Sequence, residues 1–294
     1  MNTQQCIERI HRELEKHDLC YGHGTDNAWD EACWLLAAVR FPDSLARELD
    51  PDQAVSDAEL AKARTILTQR IQLKKPLAYL LREAWFANLR FYVDERVLVP
   101  RSPVAELIQQ DFAPLLKQAP ARILDLCTGS GCIGIACAYA FPEAQVVISD
   151  LSAQALEVAR INVDQHGLQN RVRAVQSDLF TALDRPFDLI VCNPPYVSGD
   201  EYASLPHEYH SEPELGLVSA DEGLALPLAI VRQAGDYLAE TGLLILETGN
   251  SWQALAQALP EVPLLWLEFA HGGHGVCAVY GKDLQNLPAD KSSL

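Results

Sequence analysis

The tetrapeptide Asn193-Pro194-Pro195-Tyr196 directly follows the apolar run Phe187-Asp188-Leu189-Ile190-Val191-Cys192. Its two prolines fix φ and remove two backbone N–H donors. The rigid turn presents the Pro194 carbonyl as an acceptor, and the Asn193 side-chain oxygen supplies a second one. Two acceptors converging on one NH2 group would hold both hydrogens and turn the nitrogen lone pair outward. Tyr196 can stack on the planar group that bears this nitrogen. An amide nitrogen is a poor nucleophile because its lone pair is delocalised. Acceptors on both hydrogens favour pyramidal geometry and the positive charge that develops during attack. The chemistry suggested is transfer of an electrophile onto a planar amide or amine nitrogen, with the proton leaving to water. A rigid proline turn without chemistry is the plain alternative.

A source of that electrophile is suggested by Asp125-Leu126-Cys127-Thr128-Gly129-Ser130-Gly131-Cys132-Ile133-Gly134, which lies between an apolar strand and an apolar helix. Glycines there let the backbone turn sharply and approach a ligand, and open α/β sheets bind ligands at the carboxyl ends of their strands. Asp150 ends the next strand, placed to accept both hydroxyls of a ribose. Gly129, Gly131 and Gly134 also match the dinucleotide fingerprint, so a dehydrogenase is an alternative, although a lone match is weak. Two features favour S-adenosylmethionine (SAM). Asp125, four residues before Gly129, can hold the cationic methionine end, directly or through water, and would repel a pyrophosphate. A dehydrogenase also has no use for Asn193-Pro194-Pro195-Tyr196. Further on, Ser177-Asp178-Leu179-Phe180 offers Asp178 as acceptor for the adenine amino group and Leu179 as a surface for the ring. A polar helix start with an apolar anchor explains that stretch nearly as well. With SAM as donor no metal or covalent nucleophile is required, only alignment of nitrogen, methyl carbon and sulfur.

The elements that must position these residues change character along the chain. Residues 1–83 read as helical, with a start at 25–27, apolar helical spacing over 29–39 and an amphipathic helix over 58–73 ended by Pro76. Residues 84–99 alternate and are rich in aromatic and β-branched types, which predicts a hairpin joining two domains. From residue 101 onward strands alternate with helices: strands over 123–126, 146–150, 173–176, 187–192, 242–247, 264–269 and 276–280, helices over 133–140, 153–166 and 226–238. That alternation predicts an α/β, Rossmann-like parallel sheet covered on both faces, with an antiparallel hairpin at one edge. The domains expected are 1–83 helical, 84–100 a β-hairpin linker and 101–294 the SAM-binding domain. The tail, residues 287–294, is expected to fray.

Composition excludes several classes. The net charge is −17 over 294 residues, which argues against gripping duplex DNA and suits an enzyme that meets a basic protein. Residues 84–294 carry 12 Lys and Arg against 26 Asp and Glu, a balance of −14. Residues 61–82 are instead basic (Lys62, Arg64, Arg70, Lys74, Lys75 and Arg82) and read first as a solvated helix face. No apolar stretch is long enough to span a membrane, and the polar opening does not read as a secretory signal. Eight cysteines without such a signal suggest reduced thiols and a cytoplasmic location. The spacing of Cys127, Cys132 and Cys137 is not that of a zinc site. The pairs His207 with His210 and His271 with His274 are expected at the surface, with no metal.

The glycine loop, Asp150, Ser177-Asp178-Leu179-Phe180 and Asn193-Pro194-Pro195-Tyr196 together resemble the HemK/PrmB-type protein glutamine methyltransferases. The resemblance runs through nearly the whole chain, including Pro76-Leu77-Ala78-Tyr79-Leu80 and Val97-Leu98-Val99-Pro100-Arg101. It implies methylation of a glutamine amide in a translation protein. It further implies SAM contacts from Cys127, Thr128, Gly129, Ser130, Gly131, Asp150, Leu179 and Asn193, and a glutamine clamp from Asn193 to Tyr196. The position of Leu179 is often aromatic in the family. Two segments, Arg101-Ser102-Pro103 and the opening Tyr21-Gly22-His23-Gly24-Thr25-Asp26-Asn27-Ala28-Trp29, resemble the branch acting on large-subunit (50S) ribosomal protein L-three. A release-factor methyltransferase, a DNA adenine amino-methyltransferase and a non-catalytic ribosomal-protein chaperone are the alternatives. The acidic charge disfavours the DNA enzyme, and the intact glycine loop disfavours the chaperone.

Overall fold

The structure, a computed structural model, describes residues 1–45 and 47–285. Four helices open the chain: α1 (Thr3–Leu14), α2 (Ala28–Arg40), α3 (Asp57–Leu73) and α4 (Leu77–Leu81). Asn2 and Ser56 build capping boxes with Gln5 and Glu59, and Asn27 caps α2. These side chains satisfy N–H groups that no helical carbonyl can reach. Ile7, Ile10 and Leu14 of α1, Leu35 and Leu36 of α2 and Ile66 of α3 share one buried core.

The hairpin is shorter than its sequence pattern. Strands β1 (Ala84–Phe86) and β2 (Leu89–Phe91) pair antiparallel, but residues 92–99 leave the ladder although Val93, Val97 and Val99 are buried. Side chains satisfy their backbone instead. Asn162 accepts from the Tyr92 N–H at 2.7 Å, and Glu212 accepts from that of Val99 at 2.9 Å. Alternation here marks burial rather than strand pairing.

The remaining elements are α5 (Val104–Gln109), β3 (Arg122–Leu126), α6 (Cys132–Ala140), β4 (Gln145–Asp150), α7 (Ala153–Gln165), β5 (Val172–Gln176), β6 (Phe187–Cys192), α8 (Gly199–Ser204), α9 (Ala225–Ala234), β7 (Leu238–Glu247), α10 (Trp252–Ala258), β8 (Leu265–Trp266), β9 (Val276–Tyr280) and α11 (Gly281–Leu284). The sheet runs β5-β4-β3-β6-β7-β9-β8. Its first five strands are parallel, and β9 is antiparallel to both β7 and β8. The helix expected over 226–238 ends at Ala234, and Leu238 already begins β7.

Strand alternation decides which side chains face which layer. Ile123, Ile148, Val191 and Ile245 join the core under α6, whereas Leu124, Leu126, Ile190 and Leu246 join the core under α9 and α10. Phe86 and Phe91 of the hairpin belong to the α6-side core. Among the described residues no helix is long and apolar enough to cross a membrane. Residues 287–294, expected to fray, lie outside the described residues.

Candidate active site

The chain runs from β3 outward to β4 and β5, then returns to lay β6 on the other side of β3. This strand order makes the β3/β6 boundary the topological switch point, where open sheets part and bind ligands. Leu126 and Cys192 are register partners, so the glycine loop and Asn193-Pro194-Pro195-Tyr196 leave the sheet side by side. A cavity of about 490 Å³ opens there, within the ordinary size range of cofactor sites. Cys127, Thr128, Gly129, Ser130, Asp150, Asp178 and Leu179 line one end; Asn193, Pro194, Pro195 and Tyr196 line the other.

At the loop end, Cys127, Gly129 and Gly131 all have left-handed backbone, at φ 59°, 56° and 83°. A Cβ placed on Gly129 would meet no atom within 4 Å, so the backbone borders open space there. The Asp150 carboxylate accepts from the Gly129 N–H at 2.9 Å and from the Ser152 N–H at 2.8 Å. Burial raises its pKa, and these N–H bonds oppose the rise. The same carboxylate thus braces the loop and lines the cavity. Leu179 also has left-handed backbone, at φ 45°, while Asp178 is exposed beside it.

Asp125 is placed otherwise than expected. Alternation along β3 points its side chain under α6 rather than into the cavity, and it is 1% exposed. It accepts from the Thr128 hydroxyl and, at 2.8 Å, from the Gly134 N–H. Burial pushes its carboxyl up to about 7, against both of these bonds. Asp125 therefore supports the loop from behind through one carboxylate oxygen and does not line the cavity. Gly131 is likewise not on the cavity surface; its Cβ would press on Ala159 of α7 at 3.3 Å. Gly134 allows α6 to lie against the sheet, since a Cβ there would stand 2.4 Å from Ile148. With Asp125 behind the loop, the expected discrimination against a dinucleotide rests on the other end of the cavity.

At that end, among the described residues, no group hydrogen-bonds to the Asn193 carboxamide or to the Pro194 carbonyl. Two acceptors are thus free at the cavity, as an NH2 ligand requires. The Tyr196 hydroxyl donates to Glu247 at 2.9 Å, and burial raises its pKa well above the ordinary value. Residues 198–217 form an excursion whose ends meet at a bridge between Val197 and Val218. Leu205, Tyr209, Pro213 and Leu215 from this excursion wall the cavity.

Buried charges tie the excursion to the rest of the chain. Glu208 accepts from Arg70 of α3 at 3.0 Å and from the Cys20 N–H at 2.9 Å. Arg70 also donates to Glu31 of α2 at 2.8 Å and to the Cys20 carbonyl at 2.8 Å, and it is 1% exposed. The basic stretch is therefore not wholly a solvated face. Lys62, Arg64 and Arg82 are exposed, but Arg70 is interior because two carboxylates meet it there. Glu212 accepts both terminal nitrogens of Arg101, at 2.7 and 2.6 Å. Burial alone would raise its pKa; the Arg101 charge and bonds outweigh it and bring Glu212 to about 2. His23 is buried, with a ring nitrogen 3.6 Å from Glu212, too far for a normal hydrogen bond. None of Glu208, Glu212 or Glu247 was singled out by sequence reasoning. Glu247 carried a usable signal, since it ends an apolar strand. The glutamates of the excursion carried none. His207, His210, His271 and His274 are exposed.

Fold and cavity together define a class I SAM-dependent methyltransferase. The methyltransferase small domain family matches residues 109–208. The ribosomal protein uL3 glutamine methyltransferase of Francisella tularensis is 45% identical over 271 residues, covering 90% of this chain and 85% of that one. Its namesake from Neisseria meningitidis is 43% identical, covering 87% and 85%. The chain belongs to this family of uL3 glutamine methyltransferases, whose methyl donor is SAM. Among solved structures, the hMettl16 catalytic domain in complex with MAT2A 3′UTR hairpin 6 is similar in fold. Its TM-score is 0.51 at 17% identity, covering 84% of this chain and 90% of that one.

Proposed function

We propose that this chain methylates the side-chain amide nitrogen (N5) of a glutamine in ribosomal protein uL3, the L-three expected above, and does so in the cytosol. The observation that carries this reading is the pair of free acceptors, the Asn193 oxygen and the Pro194 carbonyl, beside a loop and carboxylate suited to SAM. The residues that would hold SAM are Cys127 to Ser130 of the loop, Asp150 for the ribose hydroxyls, and Asp178 and Leu179 for the adenine. When bound, SAM supplies a methyl group on a sulfonium centre. Asn193 and Pro194 hold the two amide hydrogens, which turns the nitrogen lone pair toward the loop. Their partial negative charges favour the positive charge that grows on nitrogen. Pro195 keeps the turn rigid, and Tyr196 walls the planar amide. Once the nitrogen is alkylated, its surplus proton leaves to water. The helical unit, residues 1–83, would help hold the protein substrate, with Arg70 linking it to the excursion that walls the cavity.

The partner would be basic, because it meets a catalytic part carrying −14. Opposite charge speeds encounter at low salt, and RNA would compete for the same basic surface, so the substrate is the free protein. The test is a competition assay. Purified uL3, intact large subunits and a release factor are each incubated with enzyme and labelled SAM, at low and moderate salt. Label on free uL3, faster at low salt, is expected. Label on the release factor alone would move the chain to the other branch, and equal label on intact subunits would sink the free-substrate idea.

A further inference from the structure

We propose that Ser102 and Glu247, with Arg101 and Glu212 beside them, are positioning residues that fix the two aromatic walls of the acceptor end, Tyr196 and Tyr209. The inference rests on the reading of Asn193-Pro194-Pro195-Tyr196 as the amide-holding motif and says what keeps its aromatic member in place. The Tyr196 hydroxyl donates to one oxygen of Glu247 at 2.9 Å, and the Ser102 hydroxyl donates to the other at 2.5 Å. Ser102 is itself anchored, since its oxygen accepts from the Val104 N–H at 3.2 Å. Glu247 is 5% exposed, so these two hydroxyls matter: a buried carboxylate oxygen without a donor is costly.

The ring is seated as firmly as its hydroxyl. A Cβ on Gly249, at φ 46°, would stand 2.3 Å from the Tyr196 ring, so the ring lies directly on the backbone that follows β7. A Cβ on Gly223 would stand 2.1 Å from the Tyr196 carbonyl. Glu247 and Gly249, two residues apart, therefore hold the hydroxyl and one ring edge of the same side chain. Each Glu247 oxygen already has a hydroxyl donor, so its carboxylate fits a bracket better than a proton acceptor for the amide.

The neighbouring residue does the same for the second wall. Arg101 grips Glu212 through both terminal nitrogens, and its guanidinium lies 5.3 Å from the centre of the Tyr209 ring. The His23 ring packs against Tyr209 at 4.4 Å. Consecutive residues, 101 and 102, thus each secure one glutamate, and each arrangement secures one tyrosine. A planar amide must be held to within a fraction of an ångström for in-line attack, which gives this double bracket its use.

The experiment compares Glu247→Ala, Glu247→Gln, Ser102→Ala and Arg101→Lys with wild type. SAM affinity is measured by calorimetry, and kcat and KM with uL3. The enzyme is also labelled with 3-fluorotyrosine, the fluorine lines of Tyr196 and Tyr209 being identified by their absence from Tyr196→Phe and Tyr209→Phe. Glu247→Ala is expected to shift the Tyr196 line and lower kcat/KM about tenfold or more, with SAM affinity within about twofold. Glutamine can still accept from Tyr196 and donate to Ser102, so Glu247→Gln should restore the line and most of the activity. Ser102→Ala should give a smaller loss in the same direction. Arg101→Lys, which loses the planar fork, should shift the Tyr209 line. An unmoved Tyr196 line in Glu247→Ala, or Glu247→Gln no better than Glu247→Ala, overturns the Tyr196 half; an unmoved Tyr209 line in Arg101→Lys overturns the other. If wild-type enzyme does not label uL3, the substrate reading fails, and the fluorine spectra alone decide the present one.

Discussion

Replacing Arg70 by Met should be among the most damaging single changes outside the sheet. The guanidinium is 1% exposed and donates to Glu31, Glu208 and the Cys20 carbonyl. Met keeps much of the stem volume, so the loss is mainly of charge and donors. Glu31 and Glu208 are left 4% and 2% exposed without their cation. Breaking a buried pair in this way costs about 3–5 kcal/mol, which lowers Tm by roughly 10 °C for a chain of this size. The deficit has a predictable pH dependence. Burial already raises the Glu31 pKa above 4.5 even with Arg70 present, and removing the cation raises it further. A carboxyl with a raised folded pKa favours the folded state at pH below its unfolded value, and that contribution is lost as pH rises through the folded one. The deficit should therefore be smaller at pH 5 than at pH 8. Calorimetry or urea unfolding at the two pH values measures it. A loss under about 1 kcal/mol, or one independent of pH, would show that Arg70 is not the buried hub described.

Other expectations concern chemistry and acid stability. Asn193→Ala removes one of the two proposed amide acceptors, so kcat with uL3 should fall about a hundredfold or more; calorimetry should find SAM affinity little changed. Asp150→Ala should weaken SAM by roughly 1.5–3 kcal/mol for each charge-assisted bond lost, and unchanged affinity would reopen the dinucleotide reading. Glu212, held near 2 by Arg101 against its burial, contributes stability above its unfolded pKa of about 4.5, lost as pH falls toward 2. Glu212→Gln should accordingly be less stable than wild type at pH 7 and approach it below pH 3; parallel acid-unfolding curves would contradict this.

Residues that announce themselves by local pattern were legible in the sequence. Apolar runs ending in Asp150 and Cys192 read as strands, and their ends read as ligand sites, because a parallel sheet buries both faces and exposes only its strand ends. Helix α2 was readable from Asn27 and the apolar spacing behind it. The direction of the Asp125 side chain was not legible, because a one-residue step along a strand reverses the face a side chain takes. Residues 92–99 looked like a strand because burial alternates there, but Asn162 and Glu212, 70 and 113 residues away from the groups they bind, take the backbone bonds. Arg70, Glu208 and Glu212 were illegible for the same reason. A buried ion pair is a meeting of distant segments, and neither partner carries a local mark of it. Glu247 lies between these cases: its place at the end of β7 was readable, but its link to Tyr196 needed the sheet order.

The most direct test of the central claim is mass spectrometry of uL3 after incubation with this protein and methyl-labelled SAM. The account requires one added methyl group on the side-chain nitrogen of a single glutamine, formed about a hundredfold or more faster by wild-type enzyme than by Asn193→Ala. A methyl group on any other residue type, or equal modification by Asn193→Ala, would contradict it.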